Sequence, residues 1–205
     1  MGLKYNTKWT NYYTPDGKGQ YADAPKENII KKILDTYKLN TVYDIGCNKC
    51  HYALLCESYG CKVIACDPDP PCIDYLYKDI KKNGKKIFPM VADIVSFCNT
   101  VDRHYKSLRP KNVDLMLLLA LVHHLVYHYG MNFNEIFNLI NRLNPKFVLI
   151  EFVSKKDENV LNWDKKNYKS WYNIDELISS GKKLFSQFSL FSSHDITRPI
   201  VLFKK

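Results

Sequence analysis

The chain has 205 residues, of which 46% are hydrophobic, which is enough for a folded α/β domain with a sizeable core and excludes a largely disordered chain. Its net charge of +9 favours anionic partners, although short, scattered lysine pairs are equally typical of a solvated surface. The sequence contains neither an apolar signal core nor an apolar run long enough to span a membrane. We therefore expect a cytoplasmic protein with no membrane partner.

Residues 1–22 are polar and aromatic and predict an N-terminal extension that precedes a single domain at 23–205. A helix is predicted at 23–39, because Asp23 can cap it, Pro25 suits its first turn, and apolar residues then recur at helical spacing. The aromatic side chains of the extension could form a lid over a ligand or pack on the domain surface: Trp9, Tyr12, Tyr13 and Tyr21.

Beyond residue 40, short apolar runs alternate with helical segments, and this alternation predicts a mostly parallel sheet with helices on both faces. Strands are predicted at 41–45, 62–66, 87–92, 113–119 and 146–152. Helices are predicted at 49–58, 71–82, 95–106, 133–142 and 174–180. Two final strand-like runs, 183–191 and 198–203, are close enough to form a terminal hairpin.

The segment TVYDIGCNKCHYALLCESYGCKVIACDPD, residues 41–69, is typical of a βαβ unit that binds a nucleoside-bearing cofactor. Of the three glycines in a dinucleotide-binding turn only Gly46 is present, and Asn48 and Cys50 take the other places, so little room remains for a pyrophosphate. A cofactor without phosphates, with its ammonium facing Asp44, fits better and favours S-adenosylmethionine over a nicotinamide. Gly46 could instead be only a strand-to-helix turn.

Two further acidic residues follow predicted strands. Asp67 stands 23 residues after Asp44, where a carboxylate can accept both ribose hydroxyls or could be only a solvated loop carboxylate. Asp69 competes with it, but Pro68 makes a rigid turn that should point Asp69 elsewhere. Asp93 takes the analogous place on the third strand, where it could read an adenine amino group or simply cap a helix.

The carboxyl ends of the fourth and fifth predicted strands supply the remaining candidates. Leu119 ends the fourth strand beside the expected cofactor pocket, and His123 and His124 follow it. An imidazole there could take a proton from an attacking hydroxyl or amine, or it could be a histidine at a helix start satisfied by backbone groups. Glu151 ends the fifth strand and could act in the site or serve as a structural partner.

Seven cysteines, an odd number, argue against a disulfide framework. Cys47 and Cys50 have the spacing of a redox or zinc pair, but no second pair at matching spacing completes a zinc site. We therefore expect buried, small apolar cysteines and no metal.

Four segments together resemble class I S-adenosylmethionine-dependent methyltransferases. DIGCNKC is similar to the first cofactor motif of that class, ACDPD to the second and VADI to the third, and LALVHHL is similar to the segment after strand four. More narrowly, WTNYY, VYDIGCNKC, LALVHHL and LIEFVSKKD resemble NoeA-type methyltransferases related to a nodulation protein, whose pattern has glycine where Cys50 stands. The resemblance, over residues 25–205, implies an α/β, Rossmann-like fold with a seven-stranded, mostly parallel sheet and an antiparallel last strand.

The resemblance further implies methyl transfer from S-adenosylmethionine to an oxygen or nitrogen of an acceptor. Its cofactor residues would be Asp44, Gly46, Asn48, Asp67, Asp93 and Leu119, and its acceptor side would be His123, His124 and Glu151. The acceptor could be a small molecule or glycan, or RNA because of the positive charge. A non-catalytic module that binds cofactor or RNA is the alternative. The sequence leaves the oligomeric state open.

Overall fold

The computed structural model describes Thr7 and residues 24–103, 113–193 and 195–205. The chain divides into two compact units, the first ending at Phe97 and the second beginning at Cys98. The predicted extension at 1–22, which includes Trp9, Tyr12, Tyr13 and Tyr21, lies outside the described residues except for Thr7. The expectation of a single domain at 23–205 stays a prediction.

The first unit is built on three parallel strands with a helix after each one. Its elements are α1 (Ala24–Thr36), β1 (Thr41–Ile45), α2 (His51–Ser58), β2 (Lys62–Asp67), α3 (Pro70–Asn83), β3 (Ile87–Val91) and α4, which begins at Ile94 and ends at Arg103 in the second unit. Thr41 pairs in register with Lys62, and Val63 with Ile87. Because the strands are parallel, Asp44 and Asp67 come at the same edge, where strands meet the helices that follow.

The second unit combines a parallel strand pair with an antiparallel hairpin. Its elements are β4 (Leu115–Leu118), α5 (Val122–Tyr127), α6 (Phe133–Asn141), β5 (Phe147–Glu151), α7 (Glu158–Lys166), α8 (Ile174–Gly181), β6 (Gln187–Phe191) and β7 (Ile200–Lys204). Strands β4 and β5 are parallel, and every residue in both is buried. Strand β7 runs antiparallel to both β5 and β6.

The seven strands form one mixed sheet in the order β3-β2-β1-β4-β5-β7-β6. The predicted fold class is confirmed, including the terminal hairpin and the antiparallel last strand. The first five strands lie within two residues of their predicted bounds, because short, largely apolar runs between turn residues mark them clearly. Within the described ranges, no helix combines the length and apolarity needed to cross a membrane.

Two helices were not predicted, and both are short. Helix α5 has six residues, too few for a helical period to stand out from the apolar strand before it. Helix α7 lies in the polar stretch 154–171, which gave no clear apolar stripe and buries only Val160 and Asp164. Asp157 starts α7 by accepting a hydrogen bond from the backbone N–H of Asn159, a cap signal that the sequence does contain.

Gly181, the last residue of α8, packs against aromatic rings of its own unit. A Cβ added there would lie 2.8 Å from Cζ of Phe137 and closer still to the ring of Phe203. Both rings are almost fully buried and face each other edge to face, with centroids 5.1 Å apart. Neither ring can therefore move without disturbing the core, so only glycine fits at this helix end.

Replacing Gly181 with alanine is expected to lower the free energy of unfolding by about 1–3 kcal/mol, because the added methyl overpacks the aromatic core. Urea unfolding followed by circular dichroism measures the change. Ser179→Ala, at an exposed position of the same helix, is the matched control and should change stability by less than about 0.5 kcal/mol. Equal stability of the two variants would contradict the packing argument.

Candidate functional site

The turn between β1 and α2 carries three residues with positive φ: Gly46 at 73°, Asn48 at 49° and Cys50 at 64°. Glycine adopts this conformation without strain, but for asparagine and cysteine it costs on the order of 1 kcal/mol each. The backbone N–H groups of Gly46 and Cys47 both donate to the carbonyl oxygen of Cys66 at the end of β2, at 2.8 and 3.0 Å. The turn is thus held by hydrogen bonds in a conformation that two of its side chains do not favour.

Asp67 is clamped by the backbone at the end of β2. One carboxylate oxygen accepts the N–H of Asn48 at 2.8 Å, and the other accepts the N–H of Asp69 at 2.9 Å. The side chain is buried, and burial raises its pKa despite these two hydrogen bonds. Since each oxygen has a second lone pair, the carboxylate can accept two further hydrogen bonds in a fixed direction. Adjacent hydroxyls, such as those of a ribose, present that pair of donors.

Asp44 lies on β1 with a buried carboxyl group. Desolvation by burial, together with the nearby charge of Asp67, raises its pKa to about 7, while a hydrogen bond from the N–H of Ala53 acts in the opposite direction. Within the described ranges, no lysine or arginine forms an ion pair with it. A cationic group of a ligand would therefore find a buried carboxyl group that lacks a counter-charge.

The other two acidic candidates of the first unit have protein partners. Asp69 accepts hydrogen bonds from the hydroxyl of Thr7 at 2.5 Å and from the thiol of Cys72 at 3.3 Å. Its carboxylate therefore has side-chain partners within the protein, whereas Asp67 accepts from backbone N–H groups. Asp93 accepts N–H groups of Val95 and Ser96 at 2.8 and 2.9 Å and the hydroxyl of Ser96 at 2.8 Å. Both oxygens of Asp93 are therefore used in starting α4, as the helix-cap alternative supposes.

In the second unit, an imidazole cluster surrounds one indole ring. His123 is buried and stacks on Trp163 of α7, with ring centroids 5.7 Å apart and planes at 19°. The half-buried His124 and the exposed His128 approach the same indole at 5.2 and 4.4 Å. Desolvation, followed by the charges of His124 and Arg198, lowers the pKa of His123 to about 2. The ring is therefore neutral at physiological pH.

The ring of His123 has one polar atom without a partner. Its Nδ1 is buried and makes no hydrogen bond to any part of the chain that the structure describes. Buried polar atoms in native proteins are almost always hydrogen-bonded, so an atom in this state is a candidate to receive a ligand group. A neutral imidazole nitrogen can accept a hydrogen bond from a hydroxyl or an amine.

Arg198, just before β7, links the carboxylates of three segments. Its Nε lies 2.7 Å from Oδ2 of Asp157, and 3.9 Å from Oδ2 of Asp195. Its Nη1 lies 3.9 Å from Oε1 of Glu151, which is fully buried. Burial alone would raise the pKa of Asp157, but the Arg198 hydrogen bond and the Asn159 N–H outweigh it, so the pKa is lowered. Glu151 is thus part of an ion-pair group.

Sequence reasoning missed Trp163, Asp157 and Arg198. A signal existed for the arginine, because the chain has only four arginines among 30 basic residues, and arginine is the residue suited to buried ion pairs. Leu119 is half-buried in the turn after β4, as the sequence places it. The next residue, Ala120, has φ of 49°, a strained conformation that sequence gives no sign of.

Comparisons with known proteins agree with this fold. Residues 43–144 match the family model described as a methyltransferase domain. A ribosomal protein L11 methyltransferase of Campylobacter hominis is 36% identical over 62 residues, which are 29% of this chain and 21% of that protein. The chain therefore spans about a fifth of this curated relative.

Among solved structures, monomeric WbdD has a TM-score of 0.72 at 20% identity, over 92% of this chain and 43% of that one. A SAM-dependent methyltransferase from Archaeoglobus fulgidus has a TM-score of 0.63 at 14% identity, over 93% of this chain and 97% of that one. At such identities the likeness shows the fold alone. Together with the match to a methyltransferase domain over residues 43–144, it shows that the chain has a Rossmann-like methyltransferase fold and implies S-adenosylmethionine as the cofactor. The narrower NoeA-type resemblance stays a prediction.

The raised pKa of Asp44 predicts a specific pH dependence of stability. Its folded pKa of about 7 lies above the unfolded value of about 4, so the folded chain binds this proton more tightly. Stability present at pH 4 is therefore lost as the pH rises to about 7. Asp44→Asn removes this loss. Between pH 4 and pH 7, the unfolding free energy of the variant minus that of the parent should therefore increase by up to about 4 kcal/mol.

Urea unfolding of both proteins across the pH range tests this, with Asp74→Asn, an exposed carboxylate on α3, as the matched control. Because the other titrating groups are common to the parent and Asp44→Asn, the difference between their curves reports the ionisation of Asp44 together with its coupling to Asp67. A difference that does not vary with pH would mean that Asp44 ionises normally.

Proposed function

We propose that this chain transfers the methyl group of S-adenosylmethionine to an oxygen or nitrogen of an acceptor. The observation that carries the proposal is the clamped carboxylate of Asp67, whose two oxygens are fixed by backbone N–H groups and keep lone pairs for a ribose diol. The turn after β1, strained at Asn48, brings the backbone N–H of that residue to 2.8 Å from the carboxylate. A simple strand-to-helix turn requires neither feature.

The remaining cofactor residues suit an amino-acid nucleoside. Asp44 would face the ammonium group, which supplies the counter-charge that its buried carboxyl group lacks. Asp93, with its oxygens committed to α4, would contribute through its backbone or its remaining lone pairs. When bound, S-adenosylmethionine supplies a methyl group on a positively charged sulfur, which is open to attack by a nucleophile.

His123 would hold the acceptor. Its unpartnered Nδ1 would accept a hydrogen bond from the acceptor hydroxyl or amine and so point a lone pair of that group in the reactive direction. With a pKa of about 2, the imidazole is too weak a base to keep the proton at neutral pH. We therefore assign His123 to orientation of the nucleophile, with proton loss to water or to His124.

Glu151 would contribute as a member of the Arg198 ion-pair group. Its neighbour Arg198 offsets its charge, and the same guanidinium holds Asp157 at the start of α7. His124, half-buried between His123 and Trp163, is the alternative proton acceptor.

The acceptor is proposed to be a small molecule or glycan. Among the described residues, three carboxylates surround the single guanidinium of Arg198, and this local charge balance does not attract a phosphate backbone. The names of similar proteins do not decide the matter: they include a ribosomal protein methyltransferase, a 16S rRNA methylase and a bifunctional kinase-methyltransferase. RNA is the competing acceptor because of the overall charge of +9.

Asp67→Ala is expected to weaken binding of S-adenosylmethionine and S-adenosylhomocysteine by more than about tenfold, since hydrogen bonds to a charged group are lost. Isothermal titration calorimetry measures both ligands. Asp74→Ala, an exposed carboxylate on the next helix, is the control and should bind like the parent chain. Failure of the parent chain to bind at millimolar ligand would end the proposal, whereas binding without transfer to any acceptor class would favour a non-catalytic module.

His123→Ala is expected to lower kcat/KM for an acceptor found by screening by about tenfold to a hundredfold, with the cofactor Kd unchanged. Because His123 does not titrate near neutrality, the pH profile of the variant should keep the shape of the parent profile. A lost ionisation near pH 6–7 would instead make His123 the general base. Acceptor affinity that falls steeply with rising salt would identify RNA as the substrate.

A further inference from the structure

The turn that holds the proposed cofactor site also contains two cysteines in contact. The sulfur atoms of Cys47 and Cys50 lie 3.0 Å apart, and both thiols point toward the carbonyl oxygen of Asn48, at 3.7 and 3.3 Å. A disulfide has an S–S distance of about 2.05 Å, so the bond would need a movement of only about 1 Å. All seven cysteines are buried, as the sequence predicts, and this pair belongs to the cofactor turn.

The conformation of Cys50 makes its identity unexpected. Its φ of 64° favours glycine, and a cysteine there carries a cost that glycine avoids. Cys50 is also fully buried and makes no side-chain cap for α2. The contacts of its sulfur with the sulfur of Cys47 and with the carbonyl oxygen of Asn48 are therefore what distinguish cysteine from glycine at this position.

We propose that Cys47 and Cys50 form a reversible disulfide that controls binding of S-adenosylmethionine. This inference rests on the proposed function of the same site. With hydrogen peroxide as oxidant, the Cys47 thiolate attacks the peroxide, the O–O bond breaks, and a sulfenic acid and hydroxide form. Cys50 then attacks that sulfur and releases its hydroxyl group as water, so the two thiols lose two electrons and peroxide becomes two waters. A small dithiol reverses the bond by exchange.

The disulfide would act through Asn48. Oxidation removes the two S–H groups that face its carbonyl oxygen, and closing the S–S distance pulls on both sides of this residue. The N–H of Asn48 is one of the two donors that fix Asp67, at 2.8 Å. A shifted Asn48 thus releases the ribose-binding carboxylate from its position.

Cys47 is the sulfur that reacts first, because it is 7% exposed while Cys50 is inaccessible. Burial, and then the neighbouring Cys50, raises the pKa of Cys47, so the thiolate is scarce at neutral pH. Oxidation should therefore be slow, should speed up with rising pH, and should require a small oxidant.

The test treats the full chain with hydrogen peroxide, removes the oxidant, and measures two quantities. Peptide mass spectrometry after alkylation detects a Cys47–Cys50 disulfide, and calorimetry measures the Kd of S-adenosylmethionine before oxidation, after it, and after dithiothreitol. We expect the linked peptide and a Kd raised at least about tenfold, with recovery on reduction.

Two variants separate the pair from other cysteines. Cys50→Gly, which gives the turn the residue that its φ favours, should bind the cofactor before and after peroxide treatment. Cys61→Ser removes a buried cysteine outside the turn, whose thiol donates to the carbonyl of Leu39, and should keep the peroxide response.

No linkage between Cys47 and Cys50, or linkage with an unchanged Kd, would overturn the inference and leave the proposed function intact. If the reduced chain does not bind S-adenosylmethionine at all, the proposed function fails and the inference with it, whatever the cysteines do. A peroxide response that persists in Cys50→Gly would assign the effect to another residue and also overturn the inference.

Discussion

The first unit depends on keeping two carboxyl groups buried at the ends of adjacent parallel strands. Asp44 on β1 and Asp67 on β2 repel each other, and the repulsion contributes to the raised pKa of Asp44. The turn from residue 46 to residue 50 stabilises the buried carboxylate of Asp67, because the backbone N–H of Asn48 points toward it and donates a hydrogen bond. A ligand with a positive charge near Asp44 and hydroxyls near Asp67 would offset the desolvation of both carboxyl groups. This edge of the unit is therefore suited to such a ligand.

The same constraint explains why the turn tolerates strain. Two of its non-glycine residues, Asn48 and Cys50, have positive φ, and the surrounding hydrogen bonds to Cys66 and Asp67 hold them there. Strain of on the order of 1–3 kcal/mol per residue persists only where neighbouring contacts determine the conformation. The turn is therefore a place where a small change in contacts, whether a bound ligand or a new covalent bond, shifts the position of Asp67.

The sequence predicts the strands and the acidic positions because both follow from local pattern. A buried parallel strand needs a continuous apolar run, and the last residues of the strand lie at the ligand edge, so Asp44, Asp67 and Glu151 could be placed from the sequence. Contacts between distant segments leave no such pattern. The stacking of His123 on Trp163 joins residues 40 positions apart, and the Arg198 ion pairs join the end of β5, the start of α7 and the start of β7. Backbone strain at Ala120 also depends on tertiary contacts rather than on residue type.

In the second unit, the ion pairs of Arg198 matter for position more than for stability. Burying charges is costly, and a buried ion pair often stabilises a protein no better than apolar residues of the same size. Arg198 nevertheless fixes Asp157, which starts α7, and α7 carries Trp163, on which His123 stacks. The orientation of the unpartnered Nδ1 of His123 therefore depends on Arg198, which holds the start of the helix that carries Trp163. A lysine could supply the same charge but not the two directions in which Arg198 meets Asp157 and Glu151, which accounts for arginine at this position in a lysine-rich chain.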